Sequence, residues 1–209
     1  MNRRSLVFPV AVLFGALGLA ACTDSNKSPA TTESSATTSA AELPNSGAPK
    51  VENPLPASVL DGSPCDSALT AEQLTGYLGR PGSPLEKEET LGPSCTWSSD
   101  SGSGAGILVG YETKTGQGIS LTYKNEKPKA ARWVDDLDPV QGYPTVAYVD
   151  TGIDPEHKRS CVITVGVSDE LAYSVSLTLG DKAAGEGKDA CDLGRGVADT
   201  VMTNLKAKA

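Results

Sequence analysis

Residues 160–179 read SCVITVGVSDELAYSVSLTL. Two runs rich in β-branched residues, Ser160–Val167 and Leu171–Leu179, flank the polar triplet Ser168-Asp169-Glu170. Runs of this composition form strands, and a short polar break between two of them forms a hairpin. Thr145–Val149 (TVAYV) reads as a further strand just upstream. Ser94–Ser99 (SCTWSS), Gly106–Glu112 (GILVGYE) and Gly118–Lys124 (GISLTYK) read as three more, with Ser101–Gly104 (SGSG) as a turn.

Helices bracket these strands. Thr70-Ala71-Glu72-Gln73 has the form of a capping box, and Gly79 with Pro81 supplies a stop, so a helix is expected over about 71–78. Lys129–Leu137 reads as a second helix, with Trp133, Val134 and Leu137 on one face and Asp138-Pro139 ending it. Lys188–Lys206 reads as a third, because Leu193, Val197, Val201 and Leu205 recur every four residues and the end is basic. Strands clustered between helices give the expected class. It is α+β, an antiparallel sheet with helices packed on one face and two disulfides as staples.

The staples come from five cysteines. Cys65, Cys95, Cys161 and Cys191 form an even set, which in an exported chain predicts two disulfides. Three pairings are open. The preferred one joins sequence neighbours, Cys65–Cys95 and Cys161–Cys191, closing loops of about 30 residues that contribute roughly 3–4 kcal/mol each. Zinc ligands sit closer together than these cysteines do, and the single histidine is His157, so no metal site is expected.

The fifth, Cys22, ends the stretch LGLAACTD at residues 17–24. Arg3 and Arg4 make a positive start, and Leu6–Ala21 carry no charge, which suits the apolar part of a secretory signal. Leu19-Ala20-Ala21-Cys22 resembles the lipobox of bacterial lipoproteins. That resemblance implies a signal peptide over 1–21, cleavage before Cys22, and acyl chains on Cys22 that hold the protein on the outer face of the cell membrane. The twin arginines leave both the general secretory and the twin-arginine export routes open. Residues 22–57 are dominated by Ser, Thr, Ala and Pro with no apolar period, and read as a disordered stalk. One folded domain, 58–209, remains. Losing 1–21 removes two arginines and no acid, moving the formal charge from −8 to −10. An acidic chain repels phosphates, so nucleic acid is not an expected partner.

Further landmarks resemble a family of actinobacterial lipoproteins of unknown function. Ser63-Pro64-Cys65 stands at that family's Asp-Pro-Cys motif, and Cys95-Thr96-Trp97 at its Cys-Glu-Trp motif. Gly142-Tyr143-Pro144 matches its Gly-x-Pro turn, and Asp189-Ala190-Cys191-Asp192 the cysteine that opens its last helix. Ser63 and Thr96 replace acids of the family, so no role is assigned to a carboxylate there. The layout is also similar to the two-disulfide extracellular sensor domains of mycobacterial receptor kinases, which implies an α+β fold with a groove.

No catalytic constellation emerges. Glycines 102, 104 and 106 precede a strand, whereas a phosphate loop opens a helix. Asp135, Asp136 and Asp138 lack the glycine-centred frame of a calcium loop and read as a solvated helix end. His157 lies in a polar loop with no G-x-S-x-G in the chain. Trp97 is expected in the core beside a disulfide, and Trp133 in the core or along a groove. The expectation is a non-enzymatic, cofactor-free envelope lipoprotein that binds a small ligand, lipid or glycan. The alternatives are an accessory or sensor module for an envelope protein and, behind it, a hydrolase.

Overall fold

A computed structural model describes residues 42–152 and 158–209, all within one compact unit, Ser39–Ala209. Cys22, the signal sequence, most of the expected stalk and His157 lie outside the described residues. Seven strands form a single antiparallel sheet: β1 (Leu85–Glu88), β2 (Pro93–Ser98), β3 (Gly106–Glu112), β4 (Arg132–Val134), β5 (Thr145–Val149), β6 (Ser160–Gly166) and β7 (Ala172–Thr178). Their spatial order is β1-β2-β3-β7-β6-β5-β4. The β6–β7 hairpin therefore sits at the centre, flanked by β3 and β5.

Strand alternation divides the sheet into two faces. Val109, Val175 and Ile163 share one face by register, as do Tyr111, Tyr173 and Val165. All six are buried. A helical layer covers them: the single turn α1 (Pro64–Ser67), then α2 (Ala71–Leu78) and α5 (Ala190–Lys206). In α2 the Thr70 hydroxyl accepts from Gln73 N–H at 3.2 Å and Gln73 Oε1 accepts from Thr70 N–H at 2.8 Å, which is the expected box. Leu74 and Leu78 are buried beneath it. Helix α5 lies close on β6 because Gly194 has no side chain; a Cβ there would stand 2.3 Å from Ile163 Cδ1. Val197, Val201 and Leu205 are buried, whereas Leu193 is 44% exposed. The disulfides join sequence neighbours: Cys65–Cys95 ties α1 to β2, and Cys161–Cys191 ties β6 to α5. A further single turn, α4 (Asp181–Gly185), precedes α5.

Three expectations are corrected. Residues 118–124 are not a strand but the start of α3 (Gly118–Asn125). Ile119, Thr122 and Tyr123 fall at helical spacing and are buried over the far face of β5–β6, where Thr122 donates to Thr164 Oγ1 at 3.4 Å. Residues 129–137 are not a helix. Arg132–Val134 instead pair with β5, whose open edge supplies backbone partners, and Trp133 stacks on Tyr148 with ring centroids 6.3 Å apart. Finally, the segment read as stalk up to residue 57 is in contact with the domain over 42–57. Val51 is buried in the main core, its N–H donates to Asp169 Oδ1 at 2.9 Å, and Leu55 N–H donates to Val167 O at 2.9 Å. Two isolated apolar anchors and a few long-range hydrogen bonds hold it, and neither leaves a periodic signal.

Candidate functional site

Among the described residues, the sheet's second face is covered by α3 at one corner and by loop 89–92 at another, and the rest of it is open. One row of side chains runs across all seven strands in register: Leu85, Thr96, Leu108, Ser176, Val162, Tyr148 and Trp133. None of the seven is buried. Ser94, Ser174 and Thr164 form a row on one side of it, in which Ser94 and Thr164 are buried, Thr164 beneath α3, and only Ser174 is partly open; Ser98, Thr178 and Ser160 form a row on the other. The face thus alternates aliphatic or aromatic patches with hydroxyls that both donate and accept.

Three concavities lie along this face and share lining residues. The first, about 300 Å³, is roofed by residues 89–92 and floored by Leu108, Gly110, Glu112 and Ser174. The second, about 350 Å³, runs over Thr96, Ser98, Leu108, Ser176 and Thr178. The third, about 110 Å³, continues over Ser176 and Thr178 to Ser160, Val162 and Tyr148. Leu108 joins the first two, and Ser176 with Thr178 the last two. Together they make a trough from the β1–β2 loop toward the β4–β5 edge.

Loop 89–92 is fixed over its pocket. Leu91 O accepts from the N–H groups of Thr113 and Lys114 at 3.0 and 3.1 Å. Gly92 has φ +142°, and a Cβ there would lie 2.1 Å from Tyr111 O, so the loop requires glycine. Beneath it Glu112 is only 5% exposed. Burial pushes its carboxyl up to about 7, the Ser174 hydroxyl bond opposes this, and the negative charge of Glu126 adds to it. Tyr148, farther along the face, is raised by burial and then by Glu126, Asp150 and Glu112. At the β4 edge, Tyr123 and Trp133 meet edge-on at 5.1 Å, with Lys127 Nζ 5.2 and 5.3 Å from the two ring centroids.

The sequence candidates are scattered by comparison. Trp97 is buried on the Cys95 side of β2, as expected, and takes no part in the trough. Trp133 lies on an edge strand beside the trough. Gly102 and Gly104 are turn residues, both with φ +73°. Asp135 pairs with Lys127 at 3.3 Å, while Asp136 and Asp138 are exposed. Among the described residues no cluster of His, Cys, Asp and Glu is arranged to hold a metal ion. Glu112 was not singled out by its sequence. The one available signal was the alternation in β7, where Ser174, Ser176 and Thr178 interleave with Tyr173, Val175 and Leu177.

No curated protein and no solved structure matches this chain. A family described as "Protein of unknown function (DUF3558)" matches residues 17–204, from the stretch before Cys22 almost to the end of α5. With nearly its whole length matched, the chain belongs to the DUF3558 family.

Proposed function

We propose that this protein is a non-enzymatic lipoprotein of the cell envelope, anchored through Cys22, that binds a hydroxyl-rich ligand of the glycan class along the open face of its sheet. The trough carries this reading. A sugar ring has apolar C–H faces and a polar hydroxyl rim. The row from Leu85 to Trp133 offers apolar patches to the first, and the hydroxyls of Ser98, Ser160, Ser174 and Thr178 beside it offer partners to the second. The apolar run ending at Cys22 supports the anchor.

Ser176→Trp places bulk at the junction of two concavities, while Leu193→Asp alters the helical side. Titration with neutral hexose oligomers, followed by calorimetry, should show binding weakened at least about tenfold by Ser176→Trp and unchanged by Leu193→Asp. The opposite order would refute the assignment. For the anchor, Cys22→Ala should accumulate an uncleaved precursor without lipid; a native Cys22 peptide of unmodified mass would count against it.

A second reading, a docking site for an envelope protein, has its own support. Tyr77 and Leu193, 41% and 44% exposed, flank a largely apolar groove of about 210 Å³ between α2 and α5. It would show the reverse sensitivity in the same pair of variants.

A further inference from the structure

We propose that the pocket under loop 89–92 seats a primary ammonium group on Glu112, as the charged end of the ligand that occupies the trough. The inference rests on the open face being the ligand surface, and it adds the charge the ligand must carry.

Glu112 is the buried acid of this pocket, and among the described residues it has no cation. Among the described residues no lysine or arginine forms an ion pair with it. The nearby Lys114 is engaged by the Glu88 carboxylate and by Glu89 O, the latter at 3.1 Å. The Ser174 hydroxyl, which lines the same pocket, favours the ionised form of Glu112, and an ionised carboxylate offers about four lone-pair sites. The groups facing it from neighbouring elements are acidic or neutral: Glu126 after α3, Tyr148 on β5, Ser174 on β7 and Glu89 in the loop. A buried carboxylate in such surroundings is costly unless a cation neutralises it.

The pocket's shape selects the cation. Its volume of about 300 Å³ admits a small organic group, and Leu91 and Leu108 wall it with aliphatic surface. Thr90 adds an exposed hydroxyl and Ser94 a buried one, which donates to Lys87 O at 3.4 Å and can still accept. An ammonium has three donors, enough for both carboxylate oxygens and one hydroxyl of the pocket, and its carbon stem fits the leucines. Two sources share this chemistry, an alkylamine and an amino sugar.

The group also sets the pH response. A proton competes with the ammonium for Glu112, whose carboxyl titrates near neutrality. Affinity should therefore fall about tenfold per pH unit below about 7 and level off above it, until the amine itself deprotonates.

The test uses the disulfide-intact protein, amide-shift NMR at pH 6 and pH 8, and two matched pairs: n-butylamine with n-butanol, and glucosamine with N-acetylglucosamine. The expected result is that an amine moves the Gly92, Glu112 and Ser174 amides with affinity at least about tenfold above its neutral partner. For butylamine, which stays protonated throughout, the effect should weaken at pH 6, and for either amine it should vanish in Glu112→Gln. That variant keeps the side-chain shape, and its urea midpoint at pH 5 reports that it is folded. Binding by butylamine alone identifies an alkylammonium ligand; binding by glucosamine identifies an amino sugar. Equal response to amine and neutral partner, amine binding unchanged in Glu112→Gln, or no response to either amine overturns the proposal. Neutral hexose oligomers run in parallel separate the two claims. If they bind and the amines do not, the ammonium site fails and the trough stands; if only the amines bind, the glycan reading fails.

Discussion

Replacing Glu112 by glutamine should stabilise the protein, and by an amount that depends on pH. In the unfolded chain the carboxyl titrates at its ordinary value near 4.5, and in the fold it is pushed up to about 7, chiefly by burial. Between those values the folded state binds more protons than the unfolded state, so Glu112 makes stability fall as pH rises. Below about 4.5 both states are protonated and the effect is absent. Above about 7 both are ionised and the full cost is present. At 1.36 kcal/mol per unit this difference comes to roughly 3 kcal/mol. Glutamine is isosteric and uncharged, and it keeps an acceptor for Ser174. Urea denaturation of both proteins from pH 4.5 to pH 8, with disulfides intact, gives their difference in unfolding free energy. The expected curve starts near zero, climbs through pH 5–7, and reaches a plateau of about 3 kcal/mol in favour of the variant. Subtracting the two proteins removes the contributions of the other carboxylates. A flat difference across this range, or a variant less stable at pH 8, would refute the claim that a buried carboxyl, unpaired with any cation among the described residues, floors the pocket.

Further expectations follow from the supporting structure. Asp189 caps α5 by accepting from Cys191 N–H at 2.9 Å and pairs with Arg132 at 2.6 Å, linking edge strand β4 to the helix. Asp189→Ala should cost about 1–2 kcal/mol at pH 7 by urea denaturation. Burial works against this carboxylate, but Arg132, the Cys191 N–H and Lys158 outweigh it and hold its titration below the ordinary range. The variant's deficit should accordingly be full above about pH 4 and disappear as pH falls through the lowered value. Gly92→Ala puts a Cβ against Tyr111 O and should destabilise by about 1–3 kcal/mol, with faster amide exchange at Thr113 and Lys114, the donors that hold the loop. Replacing Cys161 and Cys191 together by serine opens a loop with a separation of 30 residues, and calorimetry should find a loss of about 3–4 kcal/mol.

Much of this architecture is written locally. The central hairpin, the Thr70–Gln73 box, the long C-terminal helix and the pairing of cysteines 30 residues apart each depend on a short stretch of chain. What escaped the sequence depends on distant partners. Ile119, Thr122 and Tyr123 are β-prone residues, yet they form a helix because its buried side meets the far face of β5–β6. Arg132–Val134 becomes a strand because β5 leaves an edge to pair with. Val51 and Leu55 are lone apolar residues in a proline-rich segment, and only the docked chain gives them a role. The site escaped for the same reason. The alternation of Ser174, Ser176 and Thr178 shows that β7 has a hydroxylated side. It does not show that α1, α2 and α5 lie on the other side while α3 covers only a corner of this one, nor that the 89–92 loop packs beside Glu112.

The central claim is that ligand recognition belongs to the open face of the sheet. The most direct measurement is an amide chemical-shift map of the isotope-labelled protein as it is titrated with neutral hexose oligomers. The expected result is a band of shifts through Thr96, Leu108, Ser176, Val162 and Tyr148, one residue from each of five adjacent strands. Shifts confined to Tyr77, Leu193 and Val197 on the helical side would contradict it.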